Sequence, residues 1–170
     1  MKADVFLIAD DVSKTIRKAG IGASITVCFN LQDTAQSRRA YLQTKNALAT
    51  VRQLYPRKRV FSQHDAAFAE SCQRIIAQGE AAVKERTAIL DCLVPDDERQ
   101  SGDMRATLAA FLLDADSSLE KCADLFLLHR NTIKYRLRHI SERLGFKIGH
   151  LPETMEVYTA AALERILGRK

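Results

Sequence analysis

Hydrophobic and polar positions in the first sixty residues alternate between two kinds of pattern. Short apolar runs at 4–8, 24–29 and 59–62, partly β-branched, predict three β-strands. Residues 10–20 and the segment that follows Asp33 carry apolar positions at helical spacing, which predicts a helix in each interval. The resulting β-α-β-α-β order predicts a small α/β unit at the N-terminus.

Signals for helix ends support this order. Gly20 suits the end of the first helix, and Asp33 can cap the start of the second. Pro56 and the basic cluster 57–59 mark the end of the second helix. Its apolar stripe is formed by Tyr41, Leu48, Val51 and Tyr55.

Beyond this unit the pattern is helical. Residues 66–78 and 80–93 predict two helices, after which a polar stretch with a proline and a glycine predicts a linker at 95–102. The linker divides the chain into an α/β region with connecting helices at 1–94 and an all-helical domain at 103–170. The predicted fold class is therefore α+β and mostly α: a βαβαβ-type unit followed by a helical domain.

The helical domain is predicted to begin and end with amphipathic helices. Asp103 can cap the first, Pro152 opens the last, and Gly168 ends it. The apolar stripe of the first consists of Met104, Leu108, Phe111 and Leu112. The stripe of the last can form a dimer axis or close the core of the monomer, and it consists of Met155, Tyr158, Ala162 and Ile166.

Between these helices, two further helices are joined by a short turn. Ser117 and Glu120 form a capping box for a short helix that ends near Phe126. Three residues then lead into a second helix over 130–144, for which His129 is favoured as an unusual N-cap over a phosphate contact. Two helices joined in this way predict a helix-turn-helix.

The second of these helices has two chemically different faces. Its apolar stripe is formed by Ile133, Leu137, Ile140 and Leu144, and the last three lie within about 40° of Ile133 around the helix axis. Leu137 is expected to be among the most buried residues of the domain. The opposite face is formed by Asn131, Tyr135, Arg138 and Glu142. One face therefore suits a protein core, and the other suits a polyanion.

Positive charge is concentrated on this helix. The chain as a whole has a net charge of +5 and a pI of about 9.1, which is compatible with many partners. Residues 130–147 hold six basic residues and one acidic residue, whereas the whole segment 103–170 holds 11 basic and 9 acidic residues. Such local concentration favours a nucleic-acid surface over an ordinary solvated helix face.

The residue types fit the grooves of double-stranded DNA. Arginine can pair with guanine and asparagine with adenine in the major groove, while flanking cations and helix N-termini suit phosphates. The predicted base-contacting residues are Arg130, Asn131, Lys134, Tyr135 and Arg138, with the first and third at the groove edge. The predicted phosphate-contacting residues are Ser118, Lys121, Thr132 and Arg136. Glu142 lies where a recognition helix usually leaves the groove.

Other kinds of chemistry have weak sequence support. The cysteines at 28, 72, 92 and 122 and the four histidines lack zinc-site spacing, and reduced thiols are expected. The glycines of AGIG (19–22) lack a phosphate-loop pattern and are interpreted as a turn. No apolar run is long enough to span a membrane, and the first residues lack signal-peptide features. We expect a cytoplasmic, nucleoid-associated protein that is not an enzyme and has no cofactor or metal.

A family resemblance becomes plain in the C-terminal half. "LEKCADLFLLHRNTIKYRLRHISERLG" (119–145) resembles the C-terminal helix-turn-helix of the PucR/CdaR family, bacterial regulators of purine and sugar-diacid catabolism, and "HRNTIKYRL" is its most specific part. The segments 104–112 and 151–167 look like the family's entry and closing helices. Upstream, 24–62 is similar, more loosely, to the family's degenerate GGDEF-like α/β region. Leu127 departs from the glycine that many helix-turn-helix turns carry.

The resemblance implies a sequence-specific DNA-binding transcriptional regulator of a catabolic operon, with the helix 130–144 in the major groove. It also implies a small-molecule effector that is sensed by a segment not contained in this chain. Because one helix makes few base contacts, a homodimer on a two-fold symmetric site is expected. Two alternatives stay open: a protein-interaction module, and a degenerate nucleotide-cyclase-like domain without DNA binding. Cyclase activity itself is not expected, since the chain lacks the glycine-glycine-acid hairpin.

Overall fold

The computed structural model describes the backbone of residues 2–93 and 98–168 and the side chains of 4–93 and 104–168. It divides the chain into two compact units, Met1–Gln73 and Arg74–Lys170. The predicted linker at 95–102 therefore lies inside the second unit rather than between the units. Its residues from Glu98 onward are helical, and the rest of it falls outside the described residues.

The first unit combines helices with a short parallel sheet. Its elements are α1 (Lys2–Lys18), β1 (Ile25–Val27), α2 (Thr34–Leu54), β2 (Val60–Ser62) and the start of α3 (Gln63–Ala77). The two strands pair in parallel, with Ile25 opposite Val60 and Val27 opposite Ser62. Parallel pairing requires a crossover, and α2 provides it. The strands predicted at 24–29 and 59–62 are confirmed, although β1 is shorter than predicted.

The strand predicted at 4–8 is wrong, because these residues form the start of α1. No turn residue separates them from the helical segment that follows, so one helix continues through both. Ala9 is buried, and the ring of Phe6 packs 5.6 Å from that of Phe29. The unit is thus built in the order αβαβα instead of βαβαβ.

The predicted end of α1 and both predicted ends of α2 agree with the structure. Gly20, with φ of 76°, follows α1, and the N–H of Ile21 donates back to the carbonyl of Ile16. Asp33 caps α2, since its Oδ1 accepts a hydrogen bond from the N–H of Gln36 at 2.6 Å. The stripe predicted for α2 fails at its first residue, because Tyr41 is 64% exposed.

The second unit is helical throughout its described part. Its elements are α4 (Glu80–Thr87), a 3₁₀ helix (Ala88–Leu93), α5 (Glu98–Ala109), a π-helical segment (Ala110–Asp114), α6 (Leu119–Phe126), α7 (Arg130–Leu144) and α8 (Glu153–Ile166). Because α5 already begins at Glu98, the N-cap predicted at Asp103 is wrong. The apolar stripe predicted for this helix is largely buried, with Leu108 only 1% exposed.

The last helix forms the centre of the second unit. Helix α8 packs against α4, the 3₁₀ helix and α5. Its consecutive alanines at 160–162 are buried, and their small size lets neighbouring helices approach closely. Ala162, predicted as part of an apolar stripe, is fully buried, while Met155 of the same stripe is 51% exposed. The stripe is thus not one open face, and its central part belongs to the core of this unit.

Candidate nucleic-acid interface

The first helix of the helix-turn-helix is capped one residue later than predicted. The hydroxyl of Ser118, not Ser117, accepts a hydrogen bond from the N–H of Lys121 at 3.3 Å. Ser117 instead adopts a left-handed conformation with φ of 58° in the preceding turn. The helix ends at Phe126, as predicted.

The turn places a leucine in a conformation that favours glycine. Leu127 ends α6 with φ of 54° and ψ of 39°, and its side chain is 93% exposed. A left-handed conformation costs an ordinary residue about 1–2 kcal/mol, and an exposed side chain recovers little of that cost by packing. The turn therefore requires a residue with a positive φ. Leu127 adopts this conformation although it is not a glycine, so the geometry of the turn is kept.

The second helix begins and ends where the sequence predicts. His129 is its N-cap, because its Nδ1 accepts a hydrogen bond from the N–H of Asn131 at 3.2 Å. Gly145, with φ of 79°, ends the helix, and its N–H donates to the carbonyl of Ser141. The first turn of α7 is thus fixed by a side-chain cap.

One face of α7 is anchored in the core. Ile133 and Ile140 are fully buried, and Leu137 is 9% exposed, so the predicted helix phase is confirmed although Leu137 is not among the most buried residues. Arg136 also turns inward, and its Nη1 donates a hydrogen bond to Oγ1 of the fully buried Thr107 at 3.3 Å. Arg136, predicted as a phosphate contact, therefore ties α7 to α5.

The opposite face of α7 is open. The residues predicted to contact bases on this face and its flank all have exposed side chains: Asn131, Lys134, Tyr135 and Arg138. The ring of Tyr135 stacks edge-on against His139, with centroids 4.3 Å apart. Arg138 Nε lies 2.9 Å from Oε1 of Glu142, one turn further along. Hydrogen-bonding groups and cations thus share one accessible surface.

Besides Arg138, two more of the predicted DNA contacts have acidic partners within the protein. Arg130 Nε lies 3.1 Å from Oε1 of Glu120 across the turn, and Lys121 Nζ lies 2.6 Å from Oδ2 of Asp116. The pKa of Glu120 is lowered, first by a hydrogen bond from its own backbone N–H and then by the charge of Arg130. Exposed ion pairs of this kind contribute little to stability, so both cations can exchange their partners for phosphates at small cost.

The structure therefore divides the nine predicted site residues into two groups. Seven present exposed side chains on α6 and α7: Lys121, Arg130, Asn131, Thr132, Lys134, Tyr135 and Arg138. Ser118 and Arg136 are only partly exposed, and their side chains act as the N-cap of α6 and as the link to α5. Sequence reasoning missed the role of Thr107, since its partner is 29 positions away along the chain.

The second unit contains a helix-turn-helix whose second helix is basic on its exposed face, the kind of module that reads DNA in the major groove. Residues 104–163 match the family model of the PucR C-terminal helix-turn-helix domain. The chain is also 38% identical over 64 residues to the carbohydrate diacid regulator of Escherichia coli (strain K12). No solved structure matches the chain.

These matches support a relation of the C-terminal region to the helix-turn-helix domains of the PucR/CdaR family of transcriptional regulators. The match to the curated relative covers 38% of this chain and 16% of the relative, so the chain spans about a sixth of that protein's length. The GGDEF-like region is not shown by these matches and stays a prediction.

Two further observations bear on other kinds of function. Among residues 2–93 and 98–168, no helix combines the length and the apolar character needed to cross a membrane. The described part of the chain also contains no group of three or more His, Cys, Asp or Glu side chains that could hold a metal ion. Burial raises the pKa of the Cys72 thiol to about 11, which keeps this thiol protonated at neutral pH.

Proposed function

We propose that this chain binds double-stranded DNA sequence-specifically, with α7 in the major groove, and that it controls a catabolic operon. One observation carries the proposal: four side chains that can pair with base edges project from a helix whose other face is fixed in the protein core. They are Asn131, Lys134, Tyr135 and Arg138. Because Ile133 and Ile140 are fully buried, the helix presents these groups in one orientation.

The proposed contacts follow from position along the helix. Asn131 lies in the first turn, where recognition helices contact bases, and its amide can pair with adenine. Arg138 can pair with guanine once it leaves Glu142, an exchange between exposed groups. Lys121, Thr132 and the N-terminus of α7 are proposed to bind phosphates. Ser118 and Arg136 are proposed to hold the motif in shape instead.

The relative's name supports the finer part of the proposal. The relative is named a carbohydrate diacid regulator, which agrees with control of a catabolic operon. We propose that a small-molecule effector is sensed by a segment not contained in this chain. Because the proposed partner is double-stranded DNA, we also propose that the protein is located in the cytoplasm and associates with the nucleoid. No group on α7 is assigned a catalytic role.

The affinity for a random DNA duplex is expected to fall steeply with salt. Neutralisation of three phosphates by the exposed cations Lys121, Arg130 and Lys134 predicts a loss of about 40-fold between 50 and 200 mM salt, because the DNA releases its condensed counterions. Fluorescence anisotropy with a labelled duplex measures this slope. Lys121→Ala should reduce the salt slope by about the contribution of one phosphate contact. Lys84 is an exposed lysine on α4 outside the proposed interface, and Lys84→Ala should leave the slope unchanged. A protein-interaction module with an apolar interface would show little or no binding to the duplex at any of these salt concentrations.

We further propose that the protein acts as a homodimer. A good bidentate contact discriminates by roughly 1–3 kcal/mol, so one helix separates an operator poorly from the competing sites of a genome. Two copies of α7 would read half-sites about one helical turn apart. The apolar stripe predicted on α8 includes Ala162, which is fully buried. The dimer surface therefore does not include the whole of this stripe. Sedimentation at micromolar concentration is expected to show a dimer, and a monomer that binds one asymmetric site tightly would contradict the proposal.

A further inference from the structure

A cavity in the first unit brings three arginines together beside a glycine-containing loop. It is open to solvent and has a volume of about 600 Å³, and it is lined by Arg17 at the end of α1, Arg52 on α2 and Arg59 just before β2, all three exposed. Ser13 and the loop 20–24 form the rest of the wall, and no acidic side chain of the described residues lines the cavity. We call it the arginine cavity. It contains the glycines of the AGIG stretch, which the proposed DNA contacts do not use.

The three guanidinium groups lack a countercharge. Arg52 Nε donates to Oγ of Ser24 at 3.1 Å, and Arg59 Nη1 donates to the carbonyl of Pro56 at 3.5 Å. Within residues 4–93 and 104–168, no carboxylate forms an ion pair with any of the three. A guanidinium carries five N–H donors, so most donors at this cavity are unused by the protein. Like charges that share one cavity favour the entry of an anion.

The loop adds donors without charge. In the described part of the chain, the backbone N–H groups of Gly22, Ala23 and Ser24 donate to no protein acceptor, although those of Ile21 and Ile25 on either side do. A Cβ atom added at Gly20 or Gly22 would meet nothing within 4 Å, so the space beside the loop is open. Successive free N–H groups in a loop are a recurrent feature of anion-binding sites.

We propose that the arginine cavity binds a small anion that carries at least two phosphate or carboxylate groups. Guanidinium groups hold either group through paired hydrogen bonds, and three of them balance a ligand with two or three negative charges. The volume lies within the range of small-molecule sites. The site belongs to the first unit and is independent of the proposed contacts of α7.

Calorimetric titration of the 170-residue chain with sodium pyrophosphate and with sodium citrate, at constant ionic strength, tests the proposal. At least one anion should bind with a Kd below about 1 mM. The double variant Arg17→Ala/Arg52→Ala should weaken binding at least about tenfold, because it removes two of the three cations. Gly22→Leu should also weaken it, since it fills the open space and keeps all three arginines. Stronger binding of pyrophosphate identifies a phosphate compound, and stronger binding of citrate identifies a carboxylate.

Two matched variants locate the site. Lys18→Ala removes a positive charge next to Arg17 that does not line the cavity, and it should leave the affinity unchanged. Arg138→Ala on α7 should also leave it unchanged. No binding of either anion by the wild-type chain would overturn the proposal. So would full binding by a Gly22→Leu variant that melts like the wild type, or equal weakening by Lys18→Ala or Arg138→Ala. An effect of the arginine pair on DNA affinity alone would mean that these residues contact DNA and hold no small ligand.

Discussion

Ile133→Ala is expected to lower the free energy of unfolding of the second unit by about 2–5 kcal/mol. Ile133 is fully buried on the inner face of α7, which packs on α5, α6 and the 3₁₀ helix. Removal of its methyl groups leaves a cavity that rigid neighbouring helices cannot fill. Urea denaturation followed by circular dichroism measures the loss.

Leu127→Ala is the matched control for this prediction. It also removes an aliphatic side chain from the helix-turn-helix, but Leu127 is 93% exposed and its truncation removes little packing. Its effect should therefore stay within about 0.5 kcal/mol. A loss below 1 kcal/mol for Ile133→Ala would contradict the assigned helix phase. Such a result would also mean that the polar face of α7 does not point outward.

Asp114→Ala is expected to destabilise the second unit by about 3 kcal/mol. Asp114, the last residue of the π-helical segment, receives two hydrogen bonds from the guanidinium of Arg165 on α8, at 2.8 and 2.6 Å. The two side chains are only 12% and 21% exposed. The substitution leaves a mostly buried positive charge without this partner, directly before the helix-turn-helix. Thermal or urea unfolding of the variant measures the loss.

A double-mutant cycle distinguishes this pair from a surface contact. Asp114→Ala and Arg165→Ala together should cost clearly less than the sum of the single changes, with a coupling energy of about 1–3 kcal/mol. Lys121→Ala breaks the exposed pair with Asp116 and should change stability by less than about 1 kcal/mol. Additive effects of the two changes would show that the pair at Asp114 contributes no specific interaction.

The second helix of the motif was predictable because independent signals agree on it. Four apolar residues at helical spacing fix its phase, His129 and Gly145 fix its ends, and the structure confirms each. The N-terminal residues 4–8 lacked such agreement. Their run of four apolar residues after Asp4 fits a strand or a helix equally well, and the choice is made by its continuity with the segment that follows. The structure continues it as α1.

The exposed residues of the candidate site were predictable from angular position alone, whereas two partnerships were not. Arg136 lies at the edge of the polar face, and its partner Thr107 belongs to a different helix. Ser117 and Ser118 are both capable caps, and the choice depends on the turn before them, where Asp116 and Ser117 have φ of 50° and 58°. Contacts distant in sequence and backbone angles of turns leave no periodic signal along the chain.

We propose that the exposed face of α7 reads DNA sequence. The most direct test compares the binding of the protein to two DNA duplexes. One duplex is selected by the protein from fragments of the source genome, and the other is random and of equal length. Asn131→Ala and Arg138→Ala should each cost about 1–3 kcal/mol on the selected duplex, or about 5- to 150-fold in Kd, and change binding to the random duplex much less. Lys84→Ala should affect neither. Equal losses on both duplexes, or no loss on either, would contradict sequence reading by α7.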